Sequence, residues 1–255
     1  MNLRFRHGTV NNQDFLFSLK ESQEEYYTVA YELVRKLLTG MAMRSRVFCS
    51  PNKYGFVDYP FIYKERQLDS ILLPELSNLC EGLVIAEYPI TRKIRGQEEK
   101  SQGRTDYWCI YKNYSFSIEV KHSYHNLNSN KTTKRTIHCW DVMNKYQQQS
   151  SKKDLHLSIE LTKGVICLSL HFITVESRQE PDDELLIDFK NKETDILIQI
   201  NKDLRKISEP DFLSCWEIDS DMVKAQESYY TSSYPGLILV SKFYKPISHI
   251  GSKNM

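Results

Sequence analysis

Hydrophobic residues recur at helical spacing in two stretches near the start of the chain. In residues 20–39 they follow a period close to 3.6 and Gly40 stands after the last of them, which predicts an amphipathic helix. Residues 65–81 carry a leucine stripe that ends before Gly82, and Pro74 inside it marks a break or kink. We therefore predict an N-terminal helical element over residues 1–62, followed by the main domain over residues 63–255.

Short hydrophobic runs bounded by turn residues predict the strands of the main domain. A helix over residues 137–149 is predicted between the third and fourth of them, and the polar stretch 176–228 is predicted as an insertion. This alternation of strands and helices favours an α/β fold with a mixed central β-sheet flanked by helices. The predicted strands are residues 83–88, 105–111, 114–122, 164–175 and 236–244.

The second and third strand runs are separated only by Lys112 and Asn113, which predicts a tight hairpin. If the flanking tyrosines pair, counting outward places Asp106 opposite Glu119. Directly opposed residues share one face of a sheet, and Lys121 lies on that face as a diagonal neighbour of Asp106. A shift of one residue in the pairing would move the two acids to opposite faces.

This group of charges favours a metal site over a purely structural hairpin. Opposed like charges destabilise a pair of strands, and two close carboxylates raise each other's pKa. Mg²⁺ or Mn²⁺ between them would remove the repulsion, because Mg²⁺ accepts one or two carboxylates and keeps several waters. Metal binding lowers the pKa of such a water, and Lys121 could orient or deprotonate it or stabilise charge on a phosphate. The alternative is a solvated ion cluster without a metal.

An acid-x-Lys triplet alone carries little weight, because the chain contains three of them. Residues 98–100 lie in a polar connection without a strand pattern, and residues 188–190 follow an apolar run with no aspartate opposite. Only residues 119–121 complete a hairpin that also contains an aspartate.

The segments Gly-Arg-Thr-Asp at 103–106 and Ile-Glu-Val-Lys at 118–121 resemble the motif of the PD-(D/E)xK, or restriction-endonuclease-like, nuclease superfamily. The resemblance covers roughly residues 65–175, and residues 236–244 would add a strand. It implies a core with the element order α, β, β, β, α, β. Thr105 stands where the motif's name has proline, a departure that many members share.

The resemblance implies a Mg²⁺-dependent nuclease that hydrolyses phosphodiester bonds in DNA. Asp106, Glu119 and Lys121 would be catalytic, and the backbone carbonyl of Val120 would join the two acids as a metal ligand. A further glutamate is expected on the helix before the first core strand, and Glu65 is the first choice although a first-turn acid is common for other reasons. The weaker candidates for this glutamate are Glu81 and Glu87. The alternative function is a catalytically inactive nuclease-fold module that binds nucleic acid or a protein partner.

Further polar residues near the motif are candidates for substrate contacts. The helix at 137–149 offers three for the site, whereas Trp140 within it is expected in the core. His122 and His125 follow the motif lysine and are expected in surface or loop positions. The helix candidates are Lys145, Gln147 and Gln148, and the basic residues for a DNA groove are Arg92, Lys93, Arg95, Arg104, Lys131, Lys134 and Arg135.

The overall composition says more about the cellular location of the protein than about its activity. A net charge of +1 gives no global basic excess but leaves room for a local basic groove. The six cysteines include no CxxC pair, so no zinc site or redox motif is indicated. Several of them lie in apolar strand-like runs, which favours reduced thiols and a cytoplasmic location. No signal peptide or membrane span is predicted, and a homodimer or a partner protein of a defence or repair system remains open. The chain lacks a phosphate-binding glycine loop, a nucleophile elbow and an HExxH motif.

Overall fold

A computed structural model describes residues 6–10, 13–20, 22–49, 58–63, 65–93, 100–149, 162–226 and 231–246. Over these residues, eight strands form one sheet with the order β1-β2-β7-β8-β6-β5-β4-β3. The strands are β1 Arg6–Val10, β2 Gln13–Leu19, β3 Val84–Lys93, β4 Lys100–Tyr111, β5 Tyr114–Asn126, β6 Val165–Ser177, β7 Phe212–Glu217 and β8 Ser233–Phe243.

The sheet is mixed, because β5 and β6 run parallel while the other neighbouring pairs run antiparallel. Helices flank it, which confirms the predicted α/β class with a mixed central sheet. Their bounds are α1 Glu25–Cys49, α2 Asp69–Leu79, α3 Lys134–Gln149, α4 Asp183–Leu204 and α5 Ser220–Lys224, with 3-10 turns at Pro60–Ile62 and Glu65–Leu68. None of these helices is long and apolar enough to cross a lipid bilayer.

Two layers of helices enclose the sheet. The phenol of Tyr111 in β4 bonds Glu32 of α1, and the phenol of Tyr107 bonds Asp69 of α2, so α1 and α2 lie on one face. On the other face α3 packs against β5 and β6, with the ring of Trp140 stacked near a histidine of β6. The sheet is therefore buried from both sides at its centre, where β5 and β6 carry almost only buried residues.

The polar stretch 176–228, predicted as an insertion, supplies two large elements of the core besides the short helix α5. One is α4, whose N-terminal Leu185 N–H donates to the Asp182 carboxylate at 2.9 Å as an N-cap. The other is β7, which lies inside the sheet between β2 and β8. The sequence pattern predicted neither element. Many charged residues alternate with the apolar ones in α4, and β7 has only six residues.

The predicted N-terminal helical element, residues 1–62, also differs from the structure in one respect. It contains α1 as expected, but β1 and β2 precede that helix and belong to the same sheet as the motif strands. Residues 13–19 mix polar and apolar side chains over only seven positions, and this pattern did not predict a strand. This N-terminal part is therefore joined to the main sheet through the pairing of β2 with β7.

Gly236 in β8 lies against the ring of Phe189 in α4, and alanine at this position is expected to destabilise the fold. A Cβ atom here would meet the ring carbons of Phe189 well inside normal contact distance. Phe189 is fully buried, so its ring cannot swing away. We expect Gly236→Ala to lower the free energy of unfolding by about 1–3 kcal/mol, measured by urea denaturation. Phe189→Leu in the same chain should recover part of the loss, and independent, additive effects of the two changes would contradict the proposed clash.

Candidate active site

The predicted β4–β5 hairpin and its register are confirmed. Lys112 and Asn113 form the turn with positive φ angles of 46° and 62°, as a two-residue hairpin turn requires. Tyr111 pairs with Tyr114, and the ladder continues in the predicted register to Tyr107 and Ile118. The two strands of this hairpin carry Asp106, Glu119 and Lys121, so the hairpin sets the positions of these side chains.

The backbone ladder ends one step before the two acids. Tyr107 opposite Ile118 is the last pair between β4 and β5, so Asp106 and Glu119 lie where the strands separate. The Asp106 carboxylate takes over the role of a backbone acceptor, since the N–H of Val120 donates to its Oδ2 at 2.6 Å. Asp106 is thereby held against the strand that carries Glu119 and Lys121.

Thr105, the residue in the position of the motif's proline, also ties the two strands together. Its buried hydroxyl donates to the Ile118 carbonyl at 2.8 Å and accepts a hydrogen bond from the Ser117 hydroxyl at 3.1 Å. These bonds hold the strands together immediately before they part. Threonine therefore supports the position of Asp106 in a way that proline, which lacks a hydroxyl, could not.

Lys121 is the centre of the charged cluster. Its Nζ lies 2.8 Å from Oε1 of Glu65, 2.6 Å from the carbonyl oxygen of Val120 and 3.9 Å from Oδ2 of Asp106. Only 16% of its side chain is exposed, whereas Glu65 and Asp106 are about one-third exposed. The ammonium group is therefore largely withdrawn from water and is held by protein oxygens.

The electrostatics keep Lys121 protonated. Burial alone lowers the pKa of Lys121, but the attraction of Asp106, Glu65 and Glu119 outweighs burial and raises this pKa above its ordinary value. Lys121 in this arrangement is a hydrogen-bond donor and a positive charge, which favours the predicted stabilising role over deprotonation of a water. Three carboxylates act on this one ammonium group, and one of them, Glu119, is only 4% exposed.

The three candidates for the helix glutamate occupy different places. Glu65 stands in the 3-10 turn that leads into α2 and bonds Lys121 directly. Glu81 is exposed in the turn after α2, with a positive φ of 52°. Glu87 is exposed on β3 and accepts hydrogen bonds from Arg66 at 2.9 Å and Arg104 at 2.5 Å. Among these three, Glu65 has a direct contact with the motif lysine.

The oxygen donors around Lys121 suit a hard cation. Over the described part of the chain, no three His, Cys, Asp or Glu side chains come together as a ready-made metal cluster. The available donors are the carboxylates of Asp106 and Glu119 and the carbonyl of Val120, a set that Mg²⁺ accepts when waters complete its shell. Because Lys121 now donates to the Val120 carbonyl, its ammonium group would have to shift before that oxygen could bind a cation.

The other polar candidates near the motif have different surroundings. Gln147 is buried and donates to the carbonyls of Ser117 and Leu168 at 3.0 and 2.9 Å, so it fastens α3 to the sheet. Lys145 is exposed and pairs with Asp141 on the same helix, and Gln148 is exposed. Trp140 is fully buried, which confirms its expected place in the core.

The expected surface or loop positions of His122 and His125 are wrong. Both side chains are buried in β5, and a ring nitrogen of His122 lies 2.9 Å from the Thr174 hydroxyl. Burial lowers the pKa of His122 to about 4 and also lowers the pKa of His125. Sequence position beside the motif lysine did not reveal this, because β5 continues well past the motif and remains covered there.

The predicted basic residues divide into two exposed groups. Arg104 lies on β4 beside Glu87, while three others stand at or just before the start of α3, namely Lys131, Lys134 and Arg135. Arg95 lies outside the described residues, as do the side chains of Arg92 and Lys93. Arg66, which the sequence pattern did not single out, is exposed beside Arg104 and shares Glu87 with it.

Comparisons with known proteins give no relative from which a role could be transferred. The chain matches no family model, and neither curated proteins nor solved structures are significantly similar to it. The functional argument therefore depends on the geometry around Lys121 and on the chemistry of the residues that surround it.

Proposed function

We propose that the chain is a Mg²⁺- or Mn²⁺-dependent nuclease that hydrolyses phosphodiester bonds in DNA. The observation that carries this proposal is the convergence of Asp106 and Glu65 on Lys121 at the point where β4 and β5 separate. Buried Glu119 adds a third carboxylate whose charge acts on the same lysine. An acidic cluster around a cationic donor is suited to binding a metal ion and a phosphate together.

The order of elements supports a restriction-endonuclease-like core as part of the proposal. Along the chain α2, β3, β4, β5, α3 and β6 follow one another, in the order that the resemblance implies. The parallel pairing of β5 with β6 across the α3 connection is the usual result of such a crossover. The motif residues thus occupy the second and third strands of this unit, as the resemblance requires.

Each residue of the cluster has a role in the proposed reaction. Asp106, Glu119 and the Val120 carbonyl would hold the cation, which when bound acts as a Lewis acid and lowers the pKa of a coordinated water. Lys121 donates hydrogen bonds to a phosphate oxygen and offsets the charge that develops on it. Glu65 holds the ammonium group of Lys121 in place through its hydrogen bond of 2.8 Å.

A cleavage assay on single- and double-stranded DNA and RNA, with Mg²⁺, Mn²⁺ or a chelator, tests the proposal. We expect metal-dependent cleavage of DNA and none in the chelator. Mg²⁺ should also raise the melting temperature of the intact protein, because a ligand that binds only the folded state stabilises it. The Asp106→Asn variant should lose this rise. The absence of cleavage on every substrate, together with no effect of either metal on melting, would contradict the proposed function.

A catalytically inactive module is the second candidate. Lys121 donates hydrogen bonds to the Glu65 carboxylate and to the Val120 carbonyl. This pattern of contacts equally suits a static ion cluster that binds no metal. Isothermal titration calorimetry with Mg²⁺ and Mn²⁺ separates the candidates, since the inactive module predicts no binding heat at the cluster.

A cytoplasmic location is also part of the proposal. Five cysteines are free and buried, as expected of reduced thiols packed as small hydrophobic groups, namely Cys80, Cys109, Cys139, Cys167 and Cys215. Burial raises the pKa of Cys167 to about 12, so this thiol is unreactive at neutral pH.

Light scattering of the purified protein would establish whether it acts as a homodimer or requires a different partner.

A further inference from the structure

The β3–β4 edge of the sheet presents a hydrophobic surface next to the candidate active site. Strand alternation puts Leu83, Ile85, Trp108 and Ile110 on the side of the sheet where α3 packs, and the ring of Tyr88 joins them by stacking on Trp108. Helix α3 covers mainly β5 and β6 on this side. Leu83 and Ile85 are 53% and 47% exposed, unusually high for apolar side chains at a sheet edge. We refer to the surface formed by Leu83, Ile85, Tyr88, Trp108 and Ile110 as the edge platform.

A pair of stacked aromatic rings forms the end of the edge platform nearest the motif acids. The rings of Tyr88 and Trp108 lie 5.6 Å apart between centroids and are inclined by 25°. Trp108 is two residues from Asp106 on β4, so both side chains project from the same face. Glu87, immediately before Tyr88, has a positive φ of 50°, a local distortion of β3 at the level of the motif acids.

Two exposed guanidinium groups lie beside this aromatic pair. Arg66 and Arg104 both bond the Glu87 carboxylate, and their side chains are 82% and 68% exposed. The two guanidinium groups share this one carboxylate, and each carries a positive charge at the surface. This charge complements a phosphate backbone, and arginine is well suited to it because its planar group binds phosphate through two parallel hydrogen bonds.

We propose that the edge platform binds an unpaired base of single-stranded DNA, with the adjoining backbone along Arg66 and Arg104. The inference deepens the proposed function and rests on it, because the scissile phosphate is placed at Asp106 and Lys121. A duplex hides the faces of its bases within the stack, whereas an unpaired base can stack on an exposed aromatic ring. The aromatic rings, the two arginines and the motif acids lie close together on and beside β3 and β4. The site therefore selects single-stranded or locally opened DNA.

Tryptophan fluorescence gives a direct test. Trp140 and Trp216 are fully buried, so contact quenching by DNA would report on Trp108. The wild-type protein is titrated in a chelator, to prevent cleavage, with oligodeoxythymidylate, an abasic strand of equal length and a duplex. We expect quenching and tightest binding with oligodeoxythymidylate. Trp108→Ala should weaken this binding by roughly fivefold to a hundredfold, and Trp108→Phe should retain most of the affinity.

Controls separate this inference from general effects. Ile187→Ala changes an apolar residue on α4 that is 61% exposed and lies outside the edge platform, and it should leave binding unchanged. The abasic strand should bind the wild-type and Trp108→Ala proteins equally, because only the phosphates remain to be recognised. Equal affinity of both proteins for oligodeoxythymidylate would overturn the proposal, as would a preference for the duplex.

The competing occupant of the edge platform is a second copy of the chain. A concentration-dependent dimer that Ile85→Glu dissociates, without any change in DNA binding, would also overturn the proposal. Failure of the proposed nuclease activity is distinguishable from these outcomes. If only the nuclease proposal fails, DNA binding still depends on Trp108 but no metal supports cleavage. If only the edge-platform proposal fails, cleavage still depends on Asp106 but neither binding nor cleavage depends on Trp108.

Discussion

Alanine in place of Asp106 should reduce the rate of DNA cleavage by about a thousandfold or more. The substitution removes a cation ligand and also the acceptor that holds the Val120 N–H at 2.6 Å. Initial cleavage rates at saturating Mg²⁺ measure the loss. Asp106→Asn keeps the side-chain size and an oxygen acceptor but removes the charge, so it should lose nearly as much activity while melting close to the wild type.

Lys121→Ala should cause a comparable loss of cleavage, since it removes the ammonium group that contacts Glu65 and Asp106. Its stability must be measured alongside, because Glu119 would then be left buried without its neighbouring positive charge. The matched controls are Asp141→Ala and Lys145→Ala, which break an exposed ion pair on α3. Full activity in both the Asp106 and Lys121 variants would show that this cluster is not the active site.

Stability should fall steeply as the pH drops from about 6.5 toward 4, because three buried histidines stay neutral in the folded protein. Burial lowers the pKa of His171 to about 3 and that of His122 to about 4, and it lowers the pKa of His125 as well. A depressed folded-state pKa means that stability is fully present above 6.5 and is lost as the unfolded chain takes up protons. His122 and His171 each contribute a slope of roughly 1.4 kcal/mol per pH unit in that window, and His125 adds to it in the same direction.

Urea denaturation at a series of pH values measures this slope. His171→Phe keeps a ring next to Trp140 and should reduce the slope by about one histidine's share, roughly 1.4 kcal/mol per pH unit. His138→Asn, which removes an exposed histidine on α3, is the matched control. A free energy of unfolding that stays constant from pH 7 to pH 5 would contradict the neutral, buried state of these histidines.

The parts of the fold that were predictable are those in which one short-range signal dominates. The β4–β5 register followed from a two-residue turn, because two strands joined so closely have little freedom in their pairing. The stretch that contains β7 gave no such signal, since six residues are too few to establish a period. The place of β7 inside the sheet depends on its pairing with two strands that are not its immediate neighbours in the chain. β2 lies far earlier in the sequence, and β8 follows only after α5.

The candidate site was predictable to a similar extent. Alternation along the hairpin placed Asp106, Glu119 and Lys121 together, but the end of the backbone ladder at Tyr107 could not be inferred from it. The contact between Glu65 and Lys121 depends on how a 3-10 turn is set against β5, a tertiary relation that no local pattern encodes. The burial of His122 and His125 was missed for the same reason, since it depends on what packs over the far end of β5.

The order of strands in the sheet has a consequence for biosynthesis. The β4–β5 hairpin joins neighbours in sequence and can form soon after it leaves the ribosome, whereas Phe15 of β2 pairs with Trp216 of β7. The first two strands to be synthesised must therefore wait, with one edge unpaired, until the chain has grown by about two hundred residues. A nascent chain halted in α4 would already carry every motif residue but would lack β7 and β8, which connect β2 to β6. Such a fragment would expose two open strand edges, so interrupted translation should yield aggregation rather than a smaller folded protein.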